Sequence, residues 1–228
     1  MEPAFANLVA ATVAFVGTHF ALSHPLRGAL VRAVGDKGFQ AVYSLVALAT
    51  LGWTVWAFRA LGPQPALLWD GSGNAMWIAA SLLTLVASVL LVGSFAGNPA
   101  LPDPRAAQLA ARGPHGVFHV TRHPMMWSIA LWGAAHILVS PDPRTLVFAG
   151  SIAFLALVGA HLQDRKKEVQ MGAAWQGWEA QTSYWPRLGE LTKAGAVPWL
   201  AGTALWLGAT WAHVWAAYVP AGVWRWVN

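Results

Sequence analysis

The 228-residue chain contains no cysteine. Disulfides, iron–sulfur clusters, thiolate zinc sites and covalently attached c-type haem are therefore excluded. Charge is scarce too: 10% of residues are Asp, Glu, Lys or Arg, against about 25% in a typical soluble domain. A chain this short of polar surface is neither a soluble enzyme nor a disordered tail. What it has instead is apolar side chains, 57% of the total, with a mean hydropathy of +0.48. The formal net charge of +5 does not imply nucleic acid, because that reading requires a clustered basic face on a soluble module. In a membrane protein, basic residues mark the cytoplasmic loops. The expected class is an all-α, polytopic transmembrane bundle.

Crossing a bilayer takes about 20 apolar residues. Six stretches approach or reach that length: Phe5 to Ser23, Gln40 to Leu61, Asn74 to Phe95, Pro124 to Val139, Arg144 to Leu162, and Val197 to Val219. The fourth is short and is turned into the fifth by Ser140-Pro141-Asp142-Pro143, a breaker that predicts an antiparallel helix pair. No cleavable signal is expected, since the first apolar stretch follows only Met-Glu-Pro without a basic leader. With no repeat and no low-complexity segment, residues 1–228 read as one integral membrane domain.

Orientation follows from the basic residues. With the amino terminus outside, the loops after spans one, three and five carry eleven of the fourteen Lys and Arg, leaving Arg59, Arg144 and Arg225 outside. That asymmetry predicts both termini on the periplasmic side. Many of the 15 Trp, among them Trp53, Trp77, Trp127 and Trp215, fall near span ends, where indoles favour the interface.

The ionisable groups left at membrane depth are histidines: His19, His123, His136, His161 and His213. An intramembrane ionisable residue is a functional candidate because burial without a partner is costly. The bland alternative is a neutral imidazole bonded to a neighbouring helix. Thr12, Val16, His19 and Ser23 share one face of span one, and Ser128, Trp132 and His136 recur every fourth residue of span four. His123 and His136 lie about 20 Å apart along that helix and cannot ligate one metal. His119 and His123 are spaced for chelation if their segment is helical, although Gly113-Pro114 and Gly116 weaken a helix there. Two imidazoles from different helices, with no thiolate available, suit the axial positions of a non-covalent b-type haem. Proton relay and copper or zinc binding use the same groups. Further on, Asp164-Arg165-Lys166-Lys167-Glu168 precedes Trp175 and Trp178. That segment reads as a basic helix lying on anionic lipid with its Trp at the headgroups, or as a lid over the inner mouth of the bundle.

These residues carry a family resemblance. Thr18-His19-Phe20, Ser23-His24-Pro25-Leu26-Arg27, Gly35 and Tyr43-Ser44-Leu45 resemble the start of NnrU-type membrane proteins. Thr121-Arg122-His123-Pro124-Met125, then Leu131-Trp132-Gly133-Ala134-Ala135-His136, resemble the family's middle block, and Asp164-Arg165-Lys166 to Pro186 its third. The family includes bacterial proteins associated with denitrification and nitric oxide metabolism, and also the 15-cis-ζ-carotene isomerase, a haem b enzyme acting on a polyene. The resemblance implies non-covalent haem b with axial ligands at His19 and His136. It also implies Trp132 and Arg27 as cofactor contacts, and His123 and Arg122 as catalytic groups if the chain is an enzyme, a cis–trans isomerase. The isomerase branch carries Cys where this chain has Gly133, so no thiolate can replace histidine on the iron here. By depth alone the pairing differs: His19 is expected about 20 Å below the outer boundary and His136 about 6 Å below it. Depth would couple His136 with His213, and His19 with His123 or His161.

Two other classes stay open. Gly116-Val117-Phe118 leading into Arg122-His123-Pro124-Met125 also resembles isoprenylcysteine and phospholipid methyltransferases, which use S-adenosylmethionine, although Glu168 and Glu179 are isolated rather than paired. The remaining class is a non-enzymatic assembly or transport factor for a respiratory complex, its histidines acting as helix glue. The expected surroundings are the bacterial inner membrane, its lipid, a hydrophobic small-molecule substrate, and a respiratory or denitrification complex as partner.

Overall fold

The computed structural model describes residues 2–65 and 68–227. Nine α-helices make up most of them, and no strand occurs among the described residues: α1 (Pro3–Ser23), α2 (Arg27–Leu61), α3 (Asn74–Gly93), α4 (Ala106–Ala111), α5 (Pro124–Val139), α6 (Pro143–Met171), α7 (Ala173–Gln181), α8 (Ala196–Ala217) and α9 (Trp224–Val227). Of these, α1, α2, α3 and α6 are long and apolar enough to cross a membrane, and α5 is a shorter apolar helix. Each of the six apolar stretches in the sequence coincides with a helix. Leu45, Leu48, Leu82, Phe154 and Leu200 point outward and are exposed, an arrangement that in water would be a continuous sticky surface. Against lipid it is the required one, and the chain is a membrane protein.

Proline starts three of these helices. Pro3, Pro124 and Pro143 sit in the first turn, where the missing N–H has no partner to lose. The breaker Ser140–Pro143 makes the expected hairpin: Asp142 caps α6, accepting from the Thr145 amide at 3.0 Å and from the hydroxyls of Thr145 (3.0 Å) and Ser140 (2.8 Å). Two helices exceed their expected spans: α6 continues past Leu162 to Met171, and α2 starts early. α2 begins at Arg27, thirteen residues before the expected span, and is broken at Gly35, whose φ of 74° only glycine adopts readily. The segment before that break is held by Arg27, which lies over the Phe39 ring and reaches Asp36 at 3.8 Å.

Packing follows an arc, α2–α1–α6–α5–α3–α8. Small residues set the closest approaches. A Cβ at Gly133 of α5 would stand 2.8 Å from the Ala149 carbonyl oxygen of α6, and one at Gly202 of α8 would stand 2.7 Å from Cα of Val89 on α3. Trp206 of α8 adds an indole bond to Thr84 of α3 at 3.0 Å.

Helices α4 and α7 and two 3₁₀ turns, Gly116–His119 and Leu188–Ala194, form a cap at the end of the bundle where α3 finishes and α5 starts, whereas α9 packs on α8 at the other end. There Trp175 and Trp178 are fully buried with Phe118, Val117, Val89 and Leu90. This corrects the expectation of tryptophans at the lipid headgroups. The indoles are the core of the cap, because a lid of this size needs its own apolar centre to hold together in water.

Candidate functional site

Two regions gather the chemistry-bearing residues. The first joins the cap to the bundle. The strap after α7 runs beside residues 120–122: the Arg122 amide donates to the Ser183 carbonyl and the Arg187 amide to the Val120 carbonyl, both at 2.8 Å. Thr121 donates its hydroxyl to the Ser183 (3.1 Å) and Tyr184 (2.8 Å) carbonyls, and the Trp127 indole donates to Tyr184 O at 2.8 Å. With the backbone fixed in this way, Arg122 and His123 both turn onto Asp164 of α6. The guanidinium spans the carboxylate, Nε to Oδ2 at 3.0 Å and Nη2 to Oδ2 at 2.7 Å, and His123 Nε2 meets Oδ1 at 2.7 Å. Nη2 of Arg122 also reaches Glu179 of α7 at 3.1 Å. Asp164 and His123 are buried, and the other ring nitrogen of His123, Nδ1, has no hydrogen-bond partner. Burial raises the Glu179 carboxyl above its ordinary value despite Arg122 beside it. The Tyr184 phenol is raised by burial and by the charge of Asp164.

This places the two expected catalytic residues, Arg122 and His123, together on one carboxylate. His123 is held as a histidine oriented by an acid, and a cavity of about 510 Å³ bordered by Arg122, Asp164, Tyr184 and His161 lies alongside. The chelating spacing of His119 and His123 required one α-helix through both, and instead a 3₁₀ turn ends at His119 and α5 starts at Pro124. Among the described residues no group of three or more potential metal ligands occurs. Asp164 is the residue that sequence reasoning missed as a partner. It lies 41 positions from His123 in a charged run that looked solvent-facing.

The second region lies inside the bundle. His19, near the end of α1, has Nδ1 2.7 Å from the Phe15 carbonyl and stands against Phe15 and Tyr43. His136, near the end of α5, has Nδ1 2.8 Å from the Trp132 carbonyl, and its ring lies 4.2 Å from that of Trp132. His213 of α8 has Nδ1 2.8 Å from the Val219 carbonyl. A carbonyl on Nδ1 fixes the proton there and leaves Nε2 as the ligating nitrogen. None of the three Nε2 atoms makes a hydrogen bond among the described residues.

His136 and His213 are neighbours, with ring centres 6.3 Å apart and planes tilted by 54°, and both line a cavity of about 510 Å³ walled by Trp77, Trp132 and Trp206. Ser128, Trp132 and His136, the predicted stripe of α5, all line it. His19 and Arg27 line a separate cavity, and the two share Phe15, Ile129 and Ile152 as a common wall. The structure therefore brings Trp132 and His213 to His136, and Arg27 to His19, but gives His19 and His136 different ring partners. The reason is register: His19 lies one turn before the end of α1, whereas His136 lies one turn before the end of α5, which runs the other way.

A family model, that of the NnrU protein, matches residues 7–221. The chain belongs to the NnrU family. Comparison with curated proteins and with solved structures gives no match.

The spacing of two imidazoles in this NnrU-family chain is compatible with a shared metal ion. Two imidazoles that each give one nitrogen to a metal ion set their ring centres about 6 Å apart, from about 2 Å per metal–nitrogen bond and about 1.1 Å from nitrogen to ring centre. His136 and His213 stand at that spacing with both Nδ1 atoms engaged elsewhere. Cations stand near the same end: Arg225 lies 4.2 Å over the Trp77 ring, and Arg59 donates to the Ala216 carbonyl at 3.2 Å.

Packing also accounts for the departure at Gly133. A side chain there would meet the Ala149 carbonyl oxygen at 2.8 Å and the Ala153 Cβ at 3.1 Å. Gly133→Cys is expected to push α5 from α6 and destabilise the protein by about 1–3 kcal/mol, read as a lower thermal midpoint in detergent.

Proposed function

We propose that this NnrU-family protein binds haem b non-covalently inside its helical bundle and serves redox-linked chemistry, on nitrogen oxides or on a polyene, in the bacterial inner membrane. The observation that carries the reading is the His136–His213 pair, two imidazoles with hydrogen-bonded Nδ1 and unengaged Nε2 at metal-sharing distance in an apolar cavity. Bound there, a haem iron supplies one-electron redox chemistry. The chain's own part is to hold and shield. The Trp132 and Val219 carbonyls fix the imidazole tautomers, Trp132 packs on the His136 ring, and Trp77 and Trp206 keep water out. Arg59 and Arg225 are the cations available to carboxylate groups at that end. His136 is common to this pairing and to the one implied by family resemblance, in which His19 is the second ligand.

On this proposal the six apolar helices all span, with both termini periplasmic, so His136 lies in the outer half and the Arg122–Asp164–Glu179 cap faces the cytoplasm. The apolar cavity suits a hydrophobic substrate.

The test is optical. Protein purified from a haem-replete host is expected to show a Soret band with low-spin character, lost in His136→Ala. His213→Ala is expected to abolish the low-spin form, and His19→Ala to leave it. A colourless wild-type protein overturns the reading. Loss of the low-spin form in His19→Ala, with His213→Ala unaffected, transfers the second ligand to His19.

A further inference from the structure

The cavity beside His19 has a different character from the one between His136 and His213. It encloses about 450 Å³ between α1, α2, α6 and the first turns of α5. Its depth is apolar, formed by Phe15, Phe20, Ile129, Ile152 and Leu155. Its mouth carries the cations Arg27, Lys166 and Lys167 beside His24, and no carboxylate lines it among the described residues.

Those charges are largely uncompensated. Lys166 has neither an ion pair nor a hydrogen bond among the described residues. Lys167 is held by the carbonyls of Pro99 (2.9 Å) and Leu101 (3.3 Å), and Asp103, which pairs with Arg105, is the carboxylate whose charge reaches it. Arg27 has only the exposed Asp36, at 3.8 Å. The effect reaches His24, whose imidazole is pushed below its ordinary value by burial and then by the charge of Lys166. Neutral hydrogen-bonding groups accompany the cations: Ser23, Tyr43 and Gln170 also line the cavity. Three cations gathered at one end of a greasy cleft repel one another unless an anion sits among them.

We propose that this cavity is a binding site for an anionic lipid, its phosphate-bearing headgroup held by Arg27, Lys166 and Lys167 and the start of one acyl chain lying on Phe15, Phe20 and Ile152. The division into charged mouth and apolar depth matches an amphiphile rather than a free anion. The basic end lies on the side proposed to face the cytoplasm, where headgroup charge attracts Lys and Arg. The site is distinct from the His136–His213 cavity and does not depend on haem.

The experiment uses delipidated full-length protein in neutral detergent, prepared both without haem and with it. Phosphatidylglycerol is titrated against phosphatidylcholine, and bound lipid is read by native mass spectrometry together with the thermal midpoint. Phosphatidylglycerol is expected to remain bound and raise the midpoint, with phosphatidylcholine at least tenfold weaker. R27Q/K166Q is expected to lose at least tenfold in affinity for the anionic lipid while keeping wild-type helix content by circular dichroism. If that variant does not fold, K166Q alone is expected to lose about half of the midpoint shift. Equal binding of the two lipids, or wild-type binding by the folded variants, overturns the proposal. So does inorganic phosphate alone producing the full shift, which would make the ligand a free anion. Lipid excluded by stoichiometric haem overturns it as well, because the cavity would then be the haem site. A haem-free protein that binds phosphatidylglycerol supports this inference even if the haem reading fails.

Discussion

Asp164→Ala is expected to lower the stability of the detergent-solubilised protein by about 3–5 kcal/mol, with loss of the cap before loss of the bundle. The cost comes from what is left behind. Asp164 takes both nitrogens of the Arg122 fork and the Nε2 proton of His123, and all three groups are buried or nearly so. Removing the carboxylate strands a guanidinium whose remaining partner is Glu179 and an imidazole with neither nitrogen bonded. Thermal unfolding followed by Trp fluorescence reads the event directly, because Trp175 and Trp178 are fully buried in the cap. Glu179→Gln is expected to cost no more than about 1 kcal/mol, because Glu179 stands at the rim with one contact. Its raised carboxyl value also fixes a sign. The folded form holds that proton more tightly, so its contribution is full below the ordinary glutamate range and is lost as pH rises through the folded value. The stability of wild type relative to Glu179→Gln should therefore fall as pH rises through the folded value. An Asp164→Ala protein as stable as wild type would remove the lock from the account of this fold.

Gly202→Ala is expected to destabilise by about 1–3 kcal/mol, while Gly208→Ala in the same helix stabilises by about 0.5–1 kcal/mol. At Gly208 a new Cβ meets nothing within 4 Å, so only the backbone entropy of glycine is relieved. At Gly202 the new atom meets the Val89 backbone, Cα at 2.7 Å and N at 2.9 Å, which cannot rotate away as a side chain would. Helix α8 must move off α3, taking His213 with it and weakening the Trp206–Thr84 bond. On the haem proposal, Gly202→Ala should therefore lose the cofactor as well as stability, whereas Gly208→Ala should keep both. Equal midpoints for the two variants would mean that α3 and α8 do not approach as closely as described.

Much of this architecture was readable from residues alone, for identifiable reasons. Apolar runs located six helices, and the proline pair around Asp142 located the tightest hairpin, because both signals are local. The early start of α2 was hidden because Arg27, Arg32, Asp36 and Lys37 look like a loop by charge, although the chain remains helical on either side of Gly35. Trp175 and Trp178 were misplaced because an indole near charged residues reads the same whether it faces headgroups or a small water-side core. In the candidate site, the stripes on α1 and α5 did turn inward, as their spacing required. Pairing was not legible. Which imidazole faces His136, and which carboxylate meets Arg122, depends on the register between helices far apart in sequence, and periodicity within one helix carries no such information.

α5 has 16 residues and rises only about 24 Å, some 6 Å less than the hydrocarbon thickness of a bilayer. The shortfall falls at its first turn, where Pro124 and His123 are covered by protein rather than reaching the surface. If α5 spans as proposed, the cap is seated below the level of the surrounding headgroups and fills the space that the helix's shortness leaves.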